Sequence, residues 1–136
     1  MKNKSKKILF ICKFNRFRSK VAEAIFNKLN KKHKAKSAGI IRGNPLDKLQ
    51  VAVAKKMGVN IYSKPQGLTS KMLGWADIHV ITADDIPKGI LKDSEKYGKE
   101  LLVWNIPDAK TDNEKEIKSI IEKIKFKVGK LSKRLK

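Results

Sequence analysis

The 136-residue sequence has a single cysteine, Cys12. A lone cysteine excludes an internal disulfide framework and any zinc site built on several thiolates. Acidic residues are scarce as well: 13 Asp and Glu stand against 33 Lys and Arg, a formal charge of +20. Such a surface attracts phosphates, nucleic acid included, but charge bears on association and not on fold. The lysines are scattered, with no nucleic-acid-binding motif and no basic stripe interleaved with aromatics. Lysines that merely solvate the surface are the plainer reading of the charge. No apolar run approaches the roughly 18 residues of a membrane span. The stretch Ile8 to Ile11 is too short for a signal-peptide core, and no small-residue cleavage site follows it. The expected location is the cytoplasm.

Apolar residues make up 40% of the chain, enough for one core, so a single domain over 1–136 is expected. Lys7 to Cys12 (KILFIC) reads as a buried strand, and Lys20 to Leu29 has helical spacing, with Ser19 a suitable N-cap type. A second strand is expected over Lys34 to Ala38, ending at Gly39, and a helix over Leu46 to Met57 stopped by Gly58. Thr69 to Ala76 fits a short helix; Asp77 to Thr82 and Glu100 to Trp104 fit strands. Pro87 leaves Asp84 to Leu91 divided between loop and short helix. Thr111 to Glu114 fits a capping box, after which Ile117, Ile120, Ile121, Ile124, Val128, Leu131 and Leu135 trace one helical face. Strands alternating with helices predict a doubly wound three-layer α/β/α fold. Its small four-stranded sheet is mostly parallel, with the site at the carboxyl ends of the strands.

Cys12 stands at such an end. The segment Cys12-Lys13-Phe14-Asn15-Arg16-Phe17-Arg18-Ser19 has the form Cys-x5-Arg-Ser between a strand and a helix. A turn of this kind can aim several N–H groups inward, and the helix N-terminus adds positive potential, which together make a cradle for a phosphate dianion. A cysteine among such donors is favoured as the thiolate that nucleophilic catalysis needs. Arg18 offers a planar fork for two phosphoryl oxygens, and Ser19 can donate to the sulfur. Taken alone, Cys12 would be read as a small buried hydrophobe ending a strand. The context of Arg18, Ser19 and the strand-to-helix turn favours chemistry.

The same segment resembles the opening of the low-molecular-weight protein tyrosine phosphatases and the related thioredoxin-linked arsenate reductases. Their signature is Cys-x-Gly-Asn-x-Cys-Arg-Ser followed by a helix with Ala-Glu-Ala, matched at Cys12, Asn15, Arg18, Ser19, Ala22, Glu23 and Ala24. Ser37-Ala38-Gly39, Met57 to Asn60, Ala76 to Ile81 and Trp104 to Asp108 continue the likeness in order. The resemblance implies hydrolysis of a phosphomonoester, protein phosphotyrosine above all, through a phosphocysteine. Cys12 is then the nucleophile, and Asp108 the general acid and later base. Arg18 and the loop 13–19 bind the phosphoryl group, with Asn15, Ser19 and Ser37 as supports. No metal or cofactor is implied. The implied partners are a phosphorylated protein or small phosphomonoester, with non-specific anionic partners possible on charge grounds. Asp84, Asp85, Asp93 and Asp112 are rivals to Asp108; Asp112 is better placed to serve the first turn of the last helix.

The sequence departs from that signature. Phe14 replaces the glycine, which predicts either backbone strain or a variant loop. Phe17 replaces the second loop cysteine, so no disulfide can shield Cys12. Ala109 follows Asp108 where proline is usual, and Ile40-Ile41-Arg42-Gly43 lacks the cleft aromatic. A single cysteine rules against the arsenate reductases, which need resolving cysteines. A cation at Arg16 disfavours phosphoarginine, whose phosphatase carries threonine there, and Lys13, Arg16 and Phe17 at the mouth suggest an anionic substrate with some apolar surface. Two other classes stay open: a phosphate-binding pseudo-enzyme spoiled by Phe14, and a basic module for nucleic acid or an acidic partner. Membrane-surface attachment through the last helix is weaker, because its apolar stripe is a natural core face.

Overall fold

The computed structural model describes residues 5–41, 43, 45–62, 64–87, 89–92, 94, 98–108 and 113–135. Four strands, β1 (Lys7–Cys12), β2 (Lys34–Gly39), β3 (Ile78–Ile81) and β4 (Glu100–Val103), form one sheet in the order β2-β1-β3-β4. All three pairings are parallel, so the sheet is parallel throughout and not merely mostly so. The helices are α1 (Arg18–Leu29), α2 (Lys48–Lys56), α3 (Ser70–Trp75) and α4 (Glu114–Leu135).

The run KILFIC is apolar without alternation because both faces of β1 are covered. Ile8 and Phe10 enter a cluster with Val21, Ile25 and Phe26 of α1, Val53 and Ala54 of α2, and Ile117, Ile121 and Ile124 of α4. Leu9 and Ile11 face the other way, into a smaller cluster with Ala76, Ile81 and Leu91, against which Met72, Leu73 and Trp75 of α3 pack. The result is the expected three layers, thick on one face and thin on the other. In the order β2-β1-β3-β4 the chain leaves β1 toward β2 on one side and returns to β3 on the other. The switch in direction therefore lies at the carboxyl end of β1, beside Cys12.

Local chemistry explains the helix ends. Asp47 accepts from the Gln50 amide and Thr69 from the Met72 amide, capping α2 and α3. Gly58, at φ +79°, closes α2 in a Schellman turn: its amide donates to Lys55 O, and the Val59 amide to Ala54 O. Two expectations change. Ser19 is not the cap of α1: the helix begins at Arg18, with Phe17 at the cap position and no side-chain cap. For α4, Asn113 Oδ1 accepts from the Glu116 amide and does the capping; Thr111 lies outside the described residues. Among the described residues of Asp84 to Leu91 there is no helix, only bends and a turn at Gly89.

Both histidines are structural. The Leu73 carbonyl can only accept, so His79 Nε2 carries the proton and Nδ1 accepts from the Ser94 hydroxyl. Burial lowers the His79 pKa from its ordinary value near 6.5, chiefly by desolvating the cation; the hydrogen bond to Leu73 works in the opposite direction, and Lys99 adds a small further lowering. A folded-state pKa below the unfolded one means that the unfolded chain takes up the proton first as pH falls. Stability from this site is therefore complete above about pH 6.5 and is lost below it. Urea midpoints should drop between about pH 7 and pH 5 in the wild type, and His79→Gln should flatten that limb. Parallel curves for the two proteins would count against the assignment.

Candidate active site

The turn from β1 to α1 folds around the Cys12 sulfur. The Asn15 amide donates to Sγ at 3.3 Å, and Ser19 Oγ lies 3.0 Å from it. Asn15 Nδ2 donates to Ser19 Oγ at 2.8 Å, which leaves the Ser19 hydroxyl proton available to sulfur. The second Nδ2 bond goes to Ser37 Oγ at 3.0 Å, and the Ser37 hydroxyl donates to Glu23 Oε1. Asn15 Oδ1 accepts from the Gln66 amide at 3.0 Å. Its backbone is left-handed, φ 56°, a conformation that asparagine tolerates better than most residues. One buried side chain thus ties together the loop, β2 and the segment before α3.

Phe14 needs no positive φ; among the described residues Asn15 alone of the non-glycines has one. Of the two expectations at Phe14, strain from a positive φ is therefore absent. Room for its side chain comes from neighbouring glycines. A Cβ on Gly39 would sit 2.6 Å from the Phe14 carbonyl carbon, and one on Gly43 would sit 2.7 Å from Phe14 Cβ. Bonds from the Ile40 amide to Cys12 O, the Ile41 amide to Lys13 O and the Gly43 amide to Phe14 O carry the β1–β2 contact on into the loop.

Cys12, Phe14, Arg16, Phe17, Arg18, Gln50 and Asp108 line a space of about 40 Å³, room for a few water-sized groups. The structure thus gathers Cys12, Arg18 and Asp108 around one small cavity. Arg18 is buried at 2% exposure; Nη1 donates to Ile106 O at 3.0 Å and Nη2 to Asp85 at 3.1 Å. Asp84 Oδ1 is 3.8 Å from Nη1, and Asp108 Oδ1 is 3.7 Å from Nε. Of the rival acids, Asp84 and Asp85 pair with Arg18 without lining the cavity, and Asp93 and Asp112 lie outside the described residues.

Two mouth residues are placed differently from expectation. Phe17 touches the cavity but is 3% exposed within the main core, where burying a phenylalanine is worth about 2–3 kcal/mol. Lys13 does not line the cavity; its ammonium lies 5.2 Å over the Phe14 ring. Arg16 is held at the rim by Nε donating to Pro45 O. Sequence reasoning passed over Gln50 and Gln66. Gln50 shares the buried face of α2 with Val53 and Ala54, and a polar residue at such a position was a usable signal. Gln66, reached across 51 residues from Asn15, carried none.

Fold and site together define a parallel α/β domain with a cysteine-centred anion loop at its switch point. The chain belongs to the family described as low molecular weight phosphotyrosine protein phosphatase, whose model matches residues 7–136, and is of that family's cysteine-based phosphatase type. No curated protein matches significantly. A low molecular weight protein tyrosine phosphatase from T. tengcongensis superposes with TM-score 0.83 at 25% identity, over 96% of this chain and 99% of that one. The YwlE arginine phosphatase from Geobacillus stearothermophilus gives 0.81 at 19%, over 96% and 92%. An arsenate reductase from Archaeoglobus fulgidus gives 0.72 at 24%, over 92% and 98%. The last two likenesses bear on the fold alone.

If Phe14 is unstrained, glycine there should cost about 1 kcal/mol through unfolded-state entropy, with lost packing added. Phe14→Gly is expected to lower the urea midpoint; a rise in stability would reveal strain after all.

Proposed function

We propose that this chain is a phosphomonoester hydrolase acting on protein phosphotyrosine through a phosphocysteine, as one catalytic domain. The observation that carries the reading is the convergence of the Cys12 sulfur, Arg18 and Asp108 on one small cavity, with the Asn15 amide and Ser19 already at the sulfur. No side chain caps α1, and an uncapped helix N-terminus favours an anion.

In this reading the Cys12 thiolate attacks phosphorus, an S–P bond forms, and the P–O bond to the leaving phenolate breaks. Asp108, half exposed at the cavity, gives the phenolate its proton. Asp108 then takes a proton from water, which attacks phosphorus, releases inorganic phosphate and returns the electron pair to sulfur. Arg18 binds phosphoryl oxygens with the loop amides, held in place by Ile106 O and Asp85. Ser19 stabilises the sulfur as it departs, and Asn15, braced by Ser37, keeps the loop in shape. Arg16 at the rim favours an anionic substrate over a guanidinium phosphate.

Cys12→Ser should abolish hydrolysis of an aryl phosphate and the burst of phenol release. Asp108→Ala should lower kcat by about 10²–10⁴ fold, keeping the burst with an activated aryl phosphate and losing it with poor leaving groups, whose departure then limits turnover. A folded wild type without turnover, or an unimpaired Asp108→Ala, would sink the assignment. Arg16→Ala should raise KM for acidic phosphotyrosine peptides and leave that for neutral ones unchanged; equal effects on both would remove the substrate preference.

A further inference from the structure

A groove of about 540 Å³ lies away from the Cys12 cavity, between α1, the stretch 57–62 and Lys125 of α4. Its size is within the range of ligand sites, about 300–1,000 Å³. Ala24, Met57 and Ile61 supply apolar lining, while Leu29 and Tyr62 are 58% and 74% exposed. Three cations line it, Lys20, Lys28 and Lys125, against one carboxylate, Glu23, which already accepts the Ser37 hydroxyl.

The cations are built in. Lys20 is only 4% exposed, and its Nζ donates to Tyr62 O at 3.1 Å; Lys28 Nζ donates to Gly58 O at 3.2 Å. The Lys28 ammonium carries three N–H groups, of which the Gly58 carbonyl takes one. Lys20, Ala24 and Lys28 follow at i, i+4 and i+8 on α1, so the two lysines are separated by about 12 Å of helix rise, with the small Ala24 between them. One phosphate or carboxylate cannot reach both. An extended peptide can, since about four residues at about 3.3 Å each span the distance. Desolvation lowers the Lys20 pKa, opposed by Glu23 and Cys12, and an incoming carboxylate would offset that cost of burial.

We propose that this groove docks an acidic peptide segment of a protein partner, with an apolar side chain entering between Ala24, Met57 and Ile61 and carboxylates meeting Lys20, Lys28 and Lys125. The apolar lining and short cation row suit such a segment better than a nucleic-acid strand, which wants a longer row of cations and stacking rings. The site is separate from the phosphatase reading and stands or falls without turnover.

The test uses a fluorescein-labelled peptide alternating Glu and Leu, with binding read by anisotropy and mapped by amide shifts. Binding is expected to move the Ala24, Lys28, Gly58 and Ile61 amides. It should weaken about tenfold or more in Lys28→Glu/Lys125→Glu with Tm unchanged, and persist in Cys12→Ser. No binding, equal binding by the charge-reversed protein, or displacement by inorganic phosphate would overturn the proposal. So would a DNA duplex that displaces the peptide and shows the same sensitivity to Lys28 and Lys125.

Discussion

The site depends on the side-chain amide of Asn15. It bonds to Ser19, Ser37 and Gln66, and so pins the β1–α1 turn to β2 and to the segment preceding α3. Three hydrogen bonds on one buried residue, each worth about 1 kcal/mol net, hold its left-handed backbone. Because the Asn15 amide itself donates to Cys12 Sγ, fixing Asn15 also fixes a backbone donor to sulfur. Gly39 completes the arrangement from below, since any side chain there would strike the Phe14 carbonyl carbon and the Asn15 nitrogen.

Electrostatics in the site run against the rest of the molecule. The chain is formally +20, yet three carboxylates, Asp84, Asp85 and Asp108, converge on Arg18. A buried guanidinium is tolerable only when paired, and these partners satisfy it while fixing the plane of its fork. The carboxylates come from the loops after β3 and β4, so the site is assembled from the carboxyl ends of neighbouring strands, as the parallel topology dictates.

Most of the fold was legible in the sequence. KILFIC marks a strand covered on both faces, Gly58 ends α2 as expected, and the isoleucine stripe of α4 is its buried face. The errors lie where side-chain and backbone demands compete. Ser19 looks like a helix cap, but its hydroxyl is engaged by Asn15 and Cys12, and the helix starts two residues earlier, at Arg18, and goes uncapped. Phe17 looks like a mouth residue, but an aromatic at that turn gains more from the core. The triplet Cys12, Asn15 and Arg18 could be read because its spacing is local. The reach of Asn15 to Gln66 and of Arg18 to Asp85 depends on folding over more than fifty residues, which no local pattern records.

The absence of a second cysteine has a consequence for recovery from oxidation. In the proposed reading the Cys12 thiolate that attacks phosphorus would also react with peroxide, and a sulfenic acid is commonly rescued by condensation with a neighbouring thiol. Here the position that would supply one is Phe17, and the sequence holds no other cysteine. In that reading the reducing equivalents come from a thiol on another molecule, which has to reach a residue only 2% exposed beside a small cavity.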